Sequence, residues 1–384
     1  MSGGAGYRNG RSLIVNVTAA VAREQEQPFE VEELELEGPR VGEVLVRIAA
    51  TGMCHTDLIV RDQWYPVPLP VVLGHEGAGV VETVGASVTK LEPGDHVVLT
   101  FASCGRCANC LRGKPTYCLQ FFGLNFGGAR LDGSNALSKD GGPVHDRFFG
   151  QSSFSTYAIA TERNAVKVRD DVPLELLGPL GCGIQTGAGG VMNSLAPEAG
   201  TSIAVFGAGA VGMSAVMAAR IVGCATIVAI DVIRERLELA RELGATHTIN
   251  ANESENVVEE VQGITSGGAD YTLETSAVPA VLRQAVEALA PTGVCGLIGA
   301  APLGTEVSLD MNDLLIPGKV VRGIVEGDSV PDIFIPRLVD LYAQGRFPFD
   351  RLVQYYSLDE INQAAEDAEK GATLKPVLRI EQAS

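Results

Sequence analysis

The sequence predicts an α/β fold, in which a β-rich first half is followed by a doubly wound parallel sheet. Residues 31–52 and 71–84 alternate apolar side chains with charges, glycines and prolines, as short strands and turns do, and they lack the 3.6-residue apolar stripe of a helix. From residue 201 the pattern changes to apolar strands alternating with long apolar-faced helices, the βαβ repetition that builds a parallel sheet.

The chain has 384 residues, room for two or three domains of roughly 100 to 200 residues each. Apolar residues make up 46% and charged residues 20%, enough to pack cores without cross-links. Lys and Arg number 29 against 47 Asp and Glu, a formal charge of −18. That balance argues against nucleic acid or anionic membranes as partners. The stretch through Gln27 has no basic-led apolar run with a small-residue cleavage site, and glycine or charge cuts the later apolar runs before they could span a bilayer. The expected location is the cytoplasm.

After a flexible start, the first half reads as strands and loops. Within it, Phe121 to Gly150 is rich in glycine and polar residues and reads as a surface excursion, with His145 an exposed loop histidine. A glycine-rich segment from Leu174 to Asn193 leads into SIAVF, a strand ending at Phe206. A glycine turn, a long apolar-faced helix and a second strand ending near Asp231 complete one βαβ unit. The repetition continues with the strand YTLETS at 271–276, a helix over 278–290 and the strand VCGLIGA at 294–300. Runs such as IVAI lack polar alternation because helices cover both faces of such a sheet. Cys224 and Cys295 fall inside this pattern and read as small core residues. DSVPDIFIPRLVDLYAQGRF and SLDEINQAAEDAEKG read as helices, and KPVLRI as a closing strand.

GAGAVG, residues 207–212, stands between a strand and a helix, the setting that gives GxGxxG its meaning. Gly207 permits the tight turn, Gly209 lets the backbone approach a pyrophosphate, and Gly212 allows close helix packing. This is the Rossmann fingerprint. Asp231 ends the next strand, 24 residues beyond Gly207, where its carboxylate would accept the adenosine ribose hydroxyls and repel a 2′-phosphate. NAD is therefore expected over NADP. Arg234 and Arg236 lie close enough to blur that choice; both also read as solvated residues at a helix start.

Cys104, Cys107, Cys110 and Cys118 bring four soft thiolates into one loop, CGRCANCLRGKPTYC, suited to tetrahedral zinc. A four-thiolate site leaves no position for substrate, so the cluster reads as structural. Cys54, His75 and Cys182 would leave a fourth zinc position open, but their wide separation equally fits buried cysteines and a hydrogen-bonded histidine.

In order along the chain, GHEGAGVVETVG, the four-cysteine loop, GCGIQTGAG, GAGAVG and KPVLRI resemble the zinc-dependent alcohol dehydrogenases of the medium-chain dehydrogenase/reductase family, and within it the bacterial aryl-alcohol or benzyl-alcohol dehydrogenases. The resemblance covers nearly everything after the first dozen residues. It implies a GroES-like catalytic domain over 1–186 with a structural-zinc lobe near 101–120, an NAD-binding Rossmann domain over 187–324, and a return to the catalytic domain over 325–384. It also implies two zinc ions per subunit. Cys54, His75 and Cys182 match the catalytic-zinc ligands, Glu76 the nearby acidic residue that influences coordination, and Asp57 the carboxylate that orients the zinc-bound imidazole. Thr56 matches the hydroxyl that bonds the alcohol and relays its proton. His55 and Lys375 match basic residues near the pyrophosphate, Thr186 the residue beside nicotinamide, and Arg236 a cofactor contact. Many members carry a histidine three residues after the relay hydroxyl; this chain has Ile59, which exchanges no proton, so the relay would end in ribose hydroxyls and water or use His55.

Matching to the family places Trp64 and Tyr65 near the entry loop and Thr100, Phe148 and Phe149 near the pocket. With aromatic residues at only 5% of the chain, a WY pair and an FF pair point to an aromatic alcohol, with geraniol-like allylic alcohols as the alternative. The different-class alternative is a nonenzymatic NAD-binding structural protein. A sheet edge around GLIGAAPLGTEVSLD, together with the pairing of such domains in the family, implies a homodimer, with a tetramer second.

Overall fold

The computed structural model describes residues 14–381; the flexible start expected for the first dozen residues lies outside them. The strands of the first half form two antiparallel-rich sheets. One contains five strands in the order Val71–Val72, Ile14–Ala22, Glu30–Glu37, Leu137–Lys139 and Gly142–Val144. Its strand EVEELELE shows the expected period of two, with Leu34 and Leu36 buried and the intervening glutamates outward. The second sheet is built around Glu43–Gly52, which pairs with Glu76–Val84, with Tyr157–Thr161 and with the C-terminal strand Lys375–Arg379. With neighbours on both edges, EVLVRIAATG is buried at almost every position and loses its polar alternation.

A six-stranded parallel sheet follows, in the order His247–Asn250, Thr226–Asp231, Ser202–Phe206, Ala269–Glu274, Leu289–Leu297 and Val320–Gly323. Numbered by sequence this is 3-2-1-4-5-6, the order of the dinucleotide-binding fold, whose switch point lies at the carboxyl end of Ser202–Phe206. Apolar cores lie on both faces, and Cys224 and Cys295 are buried in them. The strand Leu289–Leu297 begins and ends earlier than its sequence suggests, and its pairing with Ala269–Glu274 is interrupted between Leu289 and Val294, where Thr292 is left-handed. The helices Pro331–Ala343 and Ile361–Glu369 precede the return of Lys375–Arg379 to the first sheet.

The segment from Phe121 to Gly150 differs from the expected surface excursion. Phe121–Phe126 is a short helix with Asn125 fully buried, its amide bonded to both the N–H and the C=O of Ala102. Anchored there, Phe121 and Phe126 turn inward against Phe149. His145 is half-buried, its Nδ1 3.1 Å from the Gly128 carbonyl.

Candidate active site and metal centres

The glycine turn has the geometry its sequence requires. Gly207 has φ +98, and a Cβ there would meet Thr275 Oγ1 at 2.6 Å; a Cβ on Gly212 would meet the Gly207 carbonyl at 1.8 Å. At Gly209, by contrast, an added Cβ meets nothing within 4 Å. That open face, at the start of the helix Ala210–Val222, is a cradle for a pyrophosphate. Asp231 is nearly buried, and its carboxylate accepts from the N–H groups of Ala208 (2.6 Å), Val232 (2.8 Å) and Ile233 (2.9 Å). It thus ties the turn to the neighbouring strand. Arg236 Nη1 lies 4.0 Å from Asp231 and Nη2 donates to the Gly371 carbonyl, whereas Arg234 is exposed and paired with Glu253.

The second cluster begins at the helix His55–Arg61, which starts immediately after Cys54. Asp57, one turn in, is fully buried. Its Oδ2 accepts from Cys54 N at 2.9 Å, and its Oδ1 accepts from Gly74 N at 3.1 Å and lies 2.8 Å from His75 Nδ1. One carboxylate therefore orients both Cys54 and His75. Donor atoms of Cys54, His75, Glu76 and Cys182 lie within 4.8 Å of one another. His75 Nε2 is buried without a hydrogen-bond partner, the signature of an imidazole nitrogen aimed at a metal. Two thiols and an imidazole suit zinc. A hydrogen bond from Cys182 holds the Cys54 thiol well below the usual range despite its burial, with His75 adding to the effect. Burial alone would depress His75; the Asp57 carboxylate outweighs it and holds the ring well above its ordinary value.

Glu76 is also fully buried, and burial pushes its carboxyl up while Lys375 opposes the shift. Lys375 Nζ lies 2.9 and 3.0 Å from the two Glu76 oxygens and also donates to the Met53 carbonyl, while Gly183 N donates to Glu76 Oε1. This corrects the position expected for Lys375: its ammonium is 3% exposed and spent on Glu76, not open to a pyrophosphate.

Cys104, Cys107, Cys110 and Cys118 gather on the loop around the short helix Ala108–Leu111, their sulfurs within 4.8 Å of one another and none in a disulfide. Backbone N–H groups of Cys104, Cys107 and Gln120 point at sulfurs of the set, as thiolates require. Backbone donors, that of Leu119 foremost, pull the Cys107 thiol down to about 6. The set fits a closed zinc site.

Thr56 Oγ1 lies 3.7 Å from Cys54 Sγ, beside the donor set, and Ile59 is buried behind it. His55 is exposed at the helix start and meets the edge of Trp64, which is itself 47% exposed. Tyr65 is half-buried and donates to the Ala301 carbonyl, tying the first half of the chain to the segment that follows the strand Leu289–Leu297. Phe149 lies over His75 with ring centroids 4.5 Å apart, and Phe148 meets the same imidazole edge-on at 5.3 Å. Phe126, which the sequence reading missed, connects both phenylalanines to Tyr65. Thr100 is displaced from its expected pocket position: it is fully buried, donating to the Gly181 carbonyl and accepting from Gln185 Nε2. The reading also missed Glu326, whose Oε1 lies 3.5 Å from Cys182 Sγ and whose Oε2 accepts from Gln185 and Thr186. Its only sequence signal is an acid directly after the apolar strand, in RGIVEGD.

A dinucleotide sheet whose first helix, Ala210–Val222, packs directly on the helix that starts after the metal donor Cys182 narrows the chemistry to metal-assisted hydride transfer, and so to a zinc-dependent oxidoreductase. Comparisons with known proteins agree. Residues 40–170 match the alcohol dehydrogenase GroES-like domain and residues 210–344 the zinc-binding dehydrogenase domain. The geraniol dehydrogenase of Castellaniella defragrans is 50% identical over 365 residues, covering 95% of this chain and 98% of its own. The benzyl alcohol dehydrogenase structure from Acinetobacter calcoaceticus is 52% identical with a TM-score of 0.93, covering 96% of this chain and all of that one. A zinc-binding alcohol dehydrogenase domain protein from Burkholderia ambifaria is 61% identical with a TM-score of 0.95, at the same coverage. The chain belongs to the zinc-dependent alcohol dehydrogenases of the medium-chain dehydrogenase/reductase family, with NAD as cofactor. Among the described residues no helix is long and apolar enough to cross a membrane.

Proposed function

We propose that the enzyme catalyses the reversible oxidation of aromatic primary alcohols of the benzyl type to aldehydes. The observation that carries this reading is the half-buried aromatic pair Tyr65 and Phe126, backed by Phe148 and Phe149, which are buried in the core against His75 and line no open pocket themselves. Such a wall stacks with a planar ring and excludes water from the reacting carbon. Cys54, His75 and Cys182 would hold a zinc ion that polarises the alcohol oxygen, and NAD supplies the hydride acceptor. Asp57 keeps the two ligands Cys54 and His75 in register. Thr56 Oγ1, beside Cys54, takes the hydroxyl proton and returns it in the aldehyde direction. Ile59, buried on the same helix, has no exchangeable proton, so the onward path from Thr56 would have to use the cofactor ribose and water or His55. Gly207, Gly209 and Gly212 would seat the pyrophosphate, Asp231 and Arg236 would face the ribose, and Thr186 would lie beside nicotinamide.

A geraniol-like allylic substrate is the second reading, favoured by the relative at 50% identity. An NAD-coupled comparison of benzyl alcohol, cinnamyl alcohol, geraniol and ethanol separates the two. Benzyl alcohol should give the largest kcat/KM; a decisive lead for geraniol would move the second reading to first, and a strong preference for ethanol would overturn both.

A further inference from the structure

Glu326, Gly327 and Asp328 form a turn with three consecutive left-handed residues, at φ 49, 64 and 50. Two of them carry side chains, for which this region is costly, so the turn exists only because its surroundings impose it. The constraints come from two directions. From within the second half of the chain, Ser194 Oγ donates to Asp328 Oδ2 at 2.7 Å, Asn193 Nδ2 to the Gly327 carbonyl at 3.1 Å, and Arg322 pairs with Asp328. A Cβ on Gly327 would strike the Gln185 carbonyl at 2.4 Å, so the turn is pressed flat against the segment that carries Cys182. From the four-cysteine lobe comes one further contact: Tyr117, directly before Cys118, donates its hydroxyl to Asp328 Oδ1 at 2.6 Å and lies 3.0 Å from the Gly323 carbonyl.

The side chain this turn presents is a buried carboxylate, and its hydrogen-bond partners among the described residues belong to the segment Gly181–Thr186, with Cys54, His75 and Glu76 close enough to act on its charge. Glu326 Oε2 accepts from Thr186 Oγ1 at 3.4 Å and from Gln185 Nε2 at 3.3 Å, and Oε1 lies 3.5 Å from Cys182 Sγ. With its hydroxyl committed to Glu326, Thr186 keeps one rotamer and hence one direction for its methyl group. Gln185 in turn reaches Thr100 and the Gly181 carbonyl, and accepts from Ser329.

We propose that Glu326 is a positioning residue of the active site and that the four-cysteine lobe holds it there through Tyr117 and Asp328. The closed zinc site then does more than replace a local core: it fixes the turn whose carboxylate holds Gln185 and Thr186 and borders the Cys182 sulfur. The proposal rests on the reading of Cys182 as a zinc ligand and Thr186 as the neighbour of nicotinamide.

The test compares wild type with Tyr117→Phe, Glu326→Gln, Asp328→Asn and the Tyr117→Phe/Glu326→Gln double variant, each confirmed by elemental analysis to hold both metals. Arg163→Ala is the control; it loosens the same lobe by removing the Arg163–Ser103 hydrogen bond without reaching Asp328. Two readouts are taken besides turnover: the absorption spectrum after cobalt(II) replaces the catalytic zinc, and NADH affinity by fluorescence. Tyr117→Phe and Glu326→Gln should shift the cobalt band in the same sense and weaken NADH binding roughly tenfold, the scale of one hydrogen bond to a charged group. The double variant should be no worse than the more affected single one. Arg163→Ala should leave band and affinity unchanged. If Tyr117→Phe loses the lobe metal, Asp328→Asn tests the same link from the other side. Unmoved band and affinity in metal-replete Tyr117→Phe or Asp328→Asn and in Glu326→Gln would overturn the proposal while leaving the reading of the site intact, and so would an equal shift in Arg163→Ala. A wild-type protein whose Cys54 set takes up no cobalt would overturn that reading, and the proposal with it.

Discussion

Replacing Asp57 by asparagine should release the catalytic zinc while sparing the structural one. Three N–H donors converge on the Asp57 carboxylate: Cys54 N on Oδ2, and Gly74 N with His75 Nδ1 on Oδ1. An asparagine amide has one accepting oxygen, so one side must now present NH2 to an N–H. Placing the oxygen toward Gly74 and His75 sacrifices only the bond to Cys54, and the side chain will choose that orientation over losing two. One hydrogen bond to a charged group contributes about 1.5–3 kcal/mol. At about 1.4 kcal/mol per decade this corresponds to roughly 10- to 150-fold in zinc affinity, matching the 10- to 100-fold usual for carboxylates behind metal-bound histidines. The four-cysteine site shares no contact with Asp57 and acts as an internal standard. Competition with a chromogenic chelator, followed by zinc per chain, should show one metal leaving at roughly 10- to 100-fold lower chelator strength than in wild type, with activity lost in parallel and recovered in excess zinc. Two metals leaving at wild-type strength would refute the assignment of Asp57 as the residue that orders Cys54 and His75.

Asp231→Ala should cut the preference for NAD over NADP, measured as the ratio of kcat/KM values, because it removes both the repulsive charge and the tie to Ala208 N that shapes the glycine turn; an unchanged ratio would transfer cofactor choice to Arg234 and Arg236. The sheet edge is not the expected segment around GLIGAAPLGTEVSLD, whose strand Leu289–Leu297 has neighbours on both sides, but Val320–Gly323, exposed at every position and preceded in the chain by Met311, Leu315 and Ile316, each more than three-quarters exposed. We expect two chains to pair along that edge as a homodimer, and sedimentation at several concentrations checks it, a persistent monomer at micromolar protein counting against it.

What the sequence made legible follows from how far apart the interacting residues are. GAGAVG and Asp231 obey local rules of strand, turn and helix, and the four cysteines sit within one loop, so both were readable from spacing alone. Cys54, His75 and Cys182 are separated by most of the first domain, and only the resemblance gathered them. Glu326 was invisible because its approach to Cys182 spans 144 residues and depends on left-handed backbone that a glutamate does not advertise. Lys375 was misplaced for a related reason: a lysine at the start of a strand normally reaches solvent, and this one is buried because Glu76 waits for it on the same sheet. Phe126 was obscured by the glycines around it, which made its segment look like loop. Thr100 misled because a hydroxyl in an apolar run serves equally well inside, bonded to a carbonyl.

The strand Lys375–Arg379 places an ordering constraint on synthesis and folding. It pairs with Glu43–Gly52 and delivers the ammonium that Glu76 meets across 299 residues of chain. The parallel sheet, contiguous from Ser202 to Gly323, has all its strands as soon as that stretch has left the ribosome. The first domain does not: residues 50–52 of its central strand, beyond the stretch that Tyr157–Thr161 covers, wait unpaired on one side, and its buried glutamate without a counter-ion, until Lys375–Arg379 emerges. Glu76, beside the Cys54 set, therefore gains its counter-ion only after every strand of the cofactor unit has been made. The interval before then is when an unsatisfied strand edge is most exposed to pairing with the wrong chain.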